Sequence, residues 1–252
     1  MRHHNVVILA IGLLGFGTGC GASVENGSSP AEEGSTTQAL AVNYAHQNLV
    51  STNFAGLNLE GSSFYGATFH FARFENSDLD LATFYGASGN YAHFENASLV
   101  NTVWYGATLN RAHFNGAVLR RAYAYGSTMA EAHFDGANMT EAVFIGANLA
   151  RSTMENLVAT RANLSRADFR RVSAANANFT DIHAHSVDFE EALLDGAIFN
   201  DANVNSADFR NADLRGATFD RAILRNANFC GARRDSRTRA PGADQTGTAC
   251  PL

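Results

Sequence analysis

The sequence contains no lysine. All 18 of its basic residues are arginine, set against 24 aspartates and glutamates, which leaves a formal net charge of -6 and a pI near 5.8. A general basic surface for nucleic acid is thereby excluded. Cysteine is scarce as well. Three in 252 residues, at positions 20, 230 and 250, are too few for a disulfide-built scaffold and have no paired metal-ligand spacing. A run of apolar residues long enough for a permanent transmembrane helix is missing, since the longest candidate spans only Val6 to about Phe16. No nucleophile elbow, phosphate-cradling glycine loop or His-Glu metalloprotease motif occurs, and the carboxylates recur periodically rather than converging on a pocket. The chain is therefore expected to be neither an enzyme nor a cofactor carrier. It is also no disordered chain, because 46% of it is hydrophobic and only 17% charged.

What is present begins with an export-like N-terminus. Arg2, His3 and His4 precede the apolar run, and the small residues Gly17, Thr18 and Gly19 lead to Cys20, the three-part layout of a secretory signal over residues 1–19. The stretch resembles a bacterial lipoprotein signal, with Gly17 where leucine is usual. That resemblance implies lipidation of Cys20 and attachment to the membrane through the lipid alone. Ordinary signal cleavage after Ala22 is the other reading, and both imply export to the bacterial envelope. Residues 20–43, dominated by Ser, Gly, Thr and Glu as far as Gln38, bury too little to offset their ordering entropy and read as a flexible tether reaching roughly 25 Å.

From residue 44 to 229 one period governs everything. Every fifth residue from Leu49 to Phe229 gives 37 positions in an unbroken frame, of which 16 are Phe, 11 Leu, three Met and one Trp. Two residues before them stands Ala in 25 cases and Ser or Thr in six. Five matches neither the helix period nor the strand period, so the chain must turn a corner every five residues with both positions aimed at one axis. A second period of twenty is visible in Phe64-Tyr65-Gly66, Phe84-Tyr85-Gly86 and Trp104-Tyr105-Gly106. The stretches Ala147-Asn148-Leu149, Ala167-Asp168-Phe169, Ala207-Asp208-Phe209 and Ala212-Asp213-Leu214 resemble the A-(D/N)-(L/F) motif of the pentapeptide-repeat family. The resemblance implies an all-β, right-handed quadrilateral parallel β-helix, here about nine coils of four pentapeptides.

Exceptions to the frame carry expectations of their own. Ala159, Ala174 and Ala184 follow Leu157, Val172 and Ile182, so volume is exchanged between the two inward positions. Ala124 lies one coil after Trp104, whose indole is expected to take its space. Gly89 has no such partner, and a void or irregularity is expected there.

Residues twenty apart should stack as columns. Arg111, Glu131 and Arg151 alternate in charge, as do Arg121, Glu141, Arg161 and Asp181, and Arg170, Glu190 and Arg210, a pattern that sets register on a solvated face. His93, His113 and His133 stack beside Glu75, Glu95, Asn115, Asp135 and Glu155, with no turn expected to converge them on a metal ion. Acid should loosen this face. Tyr65, Tyr85, Tyr105 and Tyr125, each followed by glycine, form the best candidate binding surface, with the histidine column also a candidate.

Beyond residue 229 the pattern stops. Residues 230–252 read as a tail in which Cys230 and Cys250 pair in an oxidising compartment and cap the last coil, in a rod that stays monomeric. These features describe an exported, non-enzymatic scaffold for a protein partner at the envelope. The resemblance also implies an alternative, mimicry of DNA toward gyrase as in the quinolone-resistance members, opposed here by 13 arginines among 19 acids in the repeats and by the signal. A glycan-binding rod using the tyrosine column is the third reading.

Overall fold

The computed structural model of the protein describes residues 41–252, so the expected signal, Cys20 and nearly all of the tether lie outside the described residues. From Asn43 onward the chain winds in coils of twenty residues. Asn43 pairs in parallel with Ser63, Ser63 with Thr83 and Thr83 with Val103, and three further columns beginning at Asn48, Asn53 and Asn58 do the same. Each pairing involves a single residue between two turns, and none of the described residues forms a longer continuous strand.

Backbone hydrogen bonding explains the period. In most repeats after the first coil, four of the five amides have backbone partners, as the repeat around Phe84 shows. Thr83 N donates back to Ser62 O at 3.0 Å, Phe84 N forward to Val103 O at 2.7 Å and Gly86 N forward to Tyr105 O at 2.9 Å, while Ala87 N closes the turn on Phe84 O at 3.1 Å. The fifth amide, that of the residue following the large one, needs another acceptor. An Asn or Asp just before the large residue supplies it, as when Asp168 Oδ1 accepts from Arg170 N at 3.0 Å and Asp208 Oδ1 from Arg210 N at 3.0 Å. At some other corners a side chain one coil earlier reaches up instead, as Asp80 does to Val100 N at 2.9 Å and Asn90 to Asn110 N at 2.9 Å, and at others, such as Glu95, Arg120 and Ile145, this amide has no acceptor among the described residues. The Asn/Asp of the motif is thus a corner cap.

Every corner also places one residue in the left-handed region. Glycine does so at Gly86 (φ +62°) and Gly106 (φ +61°), but so do Arg111 (+59°), Glu141 (+61°) and Asn176 (+58°). Glycine adopts this conformation without steric cost, and other residues at a cost of order 1 kcal/mol. The cross-coil hydrogen bond that this residue's amide makes holds it there.

Large and small inward positions together fill the interior. Phe54, Phe74, Phe94, Phe114 and Phe134 stack with ring centroids 4.8–4.9 Å apart and planes within 8°. Phe84 stacks on Trp104 at 3.9 Å, and neighbouring stacks meet edge to face. The buried indole donates to Thr102 Oγ1 at 2.8 Å, so a hydroxyl in the alanine position satisfies the one tryptophan N–H. Leu157, Val172 and Ile182 are fully buried before their alanines.

Two expectations are corrected here. No void forms at Gly89, because the Phe69 ring from the coil before occupies its side-chain space. A Cβ there would lie 1.8 Å from that ring. Nor does the winding stop at residue 229. Arg233 pairs with Asp213 at the usual step of 20, and Arg239, Asp244 and Ala249 pair with Thr218, Ile223 and Asn228 at a step of 21. The extra residue is absorbed near Asp235, whose Oδ1 accepts the Gly216 amide at 3.0 Å, while Thr238 Oγ1 donates to Leu214 O at 2.8 Å. Cys230 and Cys250 are joined, Cα to Cα 5.0 Å, across one coil. Ala232, Ala240, Ala243 and Leu252 pack on the end of the core.

Candidate binding surfaces

The outer columns follow from the winding. Tyr65, Tyr85, Tyr105 and Tyr125 stand at one corner on successive coils, 45%, 50%, 37% and 53% exposed. Tyr65 and Tyr85 are stacked at 5.5 Å and 14°, whereas Tyr85, Tyr105 and Tyr125 are tilted by 56–59° at 6.0–6.1 Å, which turns their ring faces partly outward. The positions before them hold Thr83, Val103 and Tyr123 rather than Asn or Asp. The amides of Tyr85, Tyr105 and Tyr125 accordingly have no acceptor among the described residues, which leaves a row of free donors beside the rings. A side chain at Gly86, Gly106 or Gly126 would meet nothing within 4 Å, so glycine there keeps the ring flanks uncovered. Gly66 differs, because a Cβ would lie 2.7 Å from His46 Nδ1. His46 closes the column edge-on to Tyr65 at 5.1 Å, a member that the sequence reading missed although it lies one coil before Gly66.

A second exposed aromatic column was also missed. Phe71, the one phenylalanine of the repeats outside the frame, is 53% exposed and stacks on Tyr91 at 5.0 Å and 8°. Arg111 lies over Tyr91 at 5.6 Å and donates to its hydroxyl. The spacing of twenty between Phe71, Tyr91 and Arg111 was the available signal.

The charged columns pair across coils at Glu131 and Glu141 and largely within the repeat at Arg170 and Arg210. Glu131 receives Arg111 at 2.7 Å and Arg151 at 3.9 Å, and Glu141 receives Arg121 at 2.6 Å and Arg161 at 2.7 Å. Hydrogen bonds from Arg111 and Arg121 hold the Glu131 and Glu141 carboxyls below the usual range. Arg170 and Arg210 both turn chiefly to the carboxylate two residues back in their own repeats, Asp168 at 2.6 Å and Asp208 at 2.7 Å, and Arg210 also reaches Glu190 at 3.3 Å. A depression of about 300 Å³ opens where Ala130 and Ala150 shorten a corner, and it is lined by ion-paired side chains including Arg170, Arg171 and Glu191.

The histidine column converges more than the sequence suggested. His93 and His113 stack at 4.6 Å and 3°, and His113 and His133 at 4.8 Å and 20°. Glu95 Oε1 lies 2.9 Å from His93 Nδ1 and 3.9 Å from His113 Nδ1. One ligand atom from each of the three falls within 4.8 Å of the others, which corrects the expectation that nothing converges. The column lets a corner glutamate lean between two coils. His133 stays apart, with Nδ1 3.1 Å from Thr153 Oγ1. Burial and the neighbouring His93 push the His113 pKa down.

The family model described as "Pentapeptide repeats (8 copies)" matches residues 48–80, 90–123 and 118–156, and that described as "Pentapeptide repeat region" matches 162–233, together more than half of the chain. No curated protein matches the sequence. Among solved structures, the chain is similar to HetL, a pentapeptide repeat protein involved in heterocyst differentiation regulation from the cyanobacterium Nostoc sp. strain PCC 7120. Identity is 24%, coverage 83% of this chain and 89% of that one, and the TM-score 0.49. It is similar at 18% identity to QnrB1, a plasmid-mediated fluoroquinolone resistance protein, over 75% of this chain and 92% of that one, TM-score 0.45. A pentapeptide repeat protein of the Arabidopsis thaliana thylakoid lumen is 29% identical over 47% of this chain and 68% of its own, TM-score 0.28.

Proposed function

The chain belongs to the pentapeptide-repeat family, whose known structures are right-handed quadrilateral β-helices, and from that premise we propose that it is an exported, non-enzymatic rod of about nine coils. In this reading the tether attaches the rod to the bacterial envelope, through a lipid on Cys20, and the rod presents a surface to a protein partner. The tyrosine corner carries the reading. Four exposed rings on consecutive coils, flanked by bare glycines at Gly86, Gly106 and Gly126 and by free amides at Tyr85, Tyr105 and Tyr125, offer apolar contact and unsatisfied donors on one rigid edge. Rigidity matters because each coil is fixed to the next by hydrogen bonds in every repeat, so a partner meets a surface that needs no ordering. The Cys230–Cys250 bridge suits an oxidising compartment.

Fractionation of the native cell with intact-mass measurement tests the location. Recovery from the envelope beginning at a lipid-modified Cys20, or from the periplasm or medium beginning near Ser23, is the expected result. A full-length cytosolic form with Cys230 and Cys250 reduced would overturn it and make gyrase inhibition the next assay. For the surface, photo-crosslinking from position 105 in envelope preparations should yield a discrete adduct that the Tyr85→Ser/Tyr125→Ser variant loses. A glycan partner would instead give tyrosine-dependent retardation on soluble polysaccharide.

A further inference from the structure

Around Glu95, acceptors outnumber donors. Its Oε1 faces Nδ1 of two parallel imidazoles, at 2.9 Å from His93 and 3.9 Å from His113. Its Oε2 is buried with no hydrogen-bond partner, and so are Asn115 Oδ1 and Glu75 Oε2 in the same corner column on the adjacent coils. Arg73 engages only Glu75 Oε1, at 2.9 Å. Buried carboxylate oxygens left in this way are costly unless a cation meets them.

We propose that His93, Glu95 and His113 form a binding site for a divalent transition-metal ion of the zinc class, bridging two consecutive coils. Two imidazole nitrogens and one carboxylate oxygen, with a fourth position open to water, are a donor set that zinc accepts. In a tetrahedron with bonds of about 2.0–2.1 Å, ligand atoms stand about 3.3 Å apart. The two oxygen-to-nitrogen separations, 2.9 and 3.9 Å, bracket that value. The separations within the set reach no more than 4.8 Å, so closing onto an ion requires the imidazoles to tilt from their parallel stack while the backbone pairing of His93 with His113 is kept. All three side chains are about one-third exposed, which leaves a path for the ion.

The site is single rather than a ribbon along the column. One coil on, Asn115 replaces the acid, so His113 can share only Glu95. One coil further, Asp135 already accepts from Thr153 Oγ1 at 2.7 Å and from the Glu155 amide at 2.8 Å, and His133 Nδ1 faces Thr153 Oγ1 at 3.1 Å. The inference stands independently of the scaffold reading, because a bound ion requires neither export nor a partner.

Titration of the metal-stripped full chain with zinc chloride, followed by calorimetry, tests it. One saturable equivalent is expected, at least tenfold weaker in each of Glu95→Gln, His93→Gln and His113→Gln and unchanged in His133→Gln. Cobalt(II) in place of zinc should give the intense visible bands of a four-coordinate site in the wild type and lose them in Glu95→Gln. Circular dichroism of each variant establishes that the rod is intact. Absence of a saturable equivalent, or binding that survives Glu95→Gln and His113→Gln unaltered, would overturn the proposal.

Discussion

The coils from Phe54 to Phe134 and those from Phe169 to Phe229 share a backbone and an interior plan, yet their outsides are held by different forces. In the first, stacked phenylalanines and Trp104 fill the axis while most outer columns carry Tyr, Thr, His and Gly, with arginine pairs confined to Arg73 and to the columns of Arg111 and Arg121. In the second, rings again stack, as Phe179, Phe199 and Phe219 do at 4.9 Å, but the outer columns carry arginines paired with carboxylates. Between them lies a waist of Met139, Met154 and Ala159, where the volume moves to Leu157 and the phenylalanine columns are interrupted, and the same exchange recurs inside the second region at Val172 with Ala174 and Ile182 with Ala184. The winding depends on hydrogen bonds common to both regions, which frees the outer columns for other purposes. Coils touch only their neighbours, so each region answers separately to perturbation.

The largest expected effect comes from removing a ring within the first stack. Phe94 touches Phe74 and Phe114 face to face and Phe84 and Trp104 edge on, and Phe94→Ala should cost about 3–5 kcal/mol. Urea unfolding should then split, with amides of residues 64–134 exchanging before those of residues 179–229. A single unchanged transition would show that the waist couples the two regions fully.

At the other end, the Cys230–Cys250 bridge closes a loop with a sequence separation of 20 and contributes about 3 kcal/mol by the chain-entropy account. Cys230→Ser/Cys250→Ser should raise hydrogen exchange from Arg233 onward and leave the tyrosine coils unmoved. Gly89→Ala is expected to cost about 1–3 kcal/mol, since the new Cβ must displace the Phe69 ring. A neutral result would mean that the ring has somewhere else to go.

Gly89 also marks what the sequence could and could not tell. The frame of five, the step of twenty and the tyrosine, histidine and charge columns are all readable from residue spacing, because inward and outward positions alternate under a fixed winding. Volume exchange is readable within a repeat, as at Leu157 and Ala159. It is not readable between coils, where the direction of the Phe69 ring decides that Gly89 is filled. The last coil escaped for a different reason. No coil packs on it among the described residues, its inward positions hold Arg234 and Gln245, and the extra residue near Asp235 shifts the count by one. The histidine column was legible as a ladder, but the lean of Glu95 between His93 and His113 is a rotamer choice that spacing does not encode.

Salt should separate the regions more gently. Arg171 with Glu191 and Arg221 with Asp201 are exposed cross-coil pairs at 2.7 and 2.5 Å, and the small contribution of such pairs is screened by salt. In 1 M sodium chloride, exchange should quicken at residues 170–225 and stay constant at residues 64–109. Equal quickening in both would point to a general salt effect on the fold.

The smallest effect, and the one confined to the first region, is acid sensitivity at His113. Burial first, then the neighbouring His93, lowers its folded pKa below the ordinary 6.5, against the opposing pull of Glu95. The unfolded chain therefore takes up the proton before the folded one does, so stability is constant above about pH 6.5 and falls as pH drops from there toward the lowered folded value. With metal removed by chelator, exchange at residues 93–133 should quicken between pH 7 and 5 once the intrinsic rate change is divided out, and His113→Asn should abolish the difference. The arginine-paired coils have carboxylates such as Glu191 and Asp201 held below their usual range by Arg171 and Arg221, so they should respond only at lower pH. If both regions loosened together above pH 5, the stacked imidazoles would not be the cause.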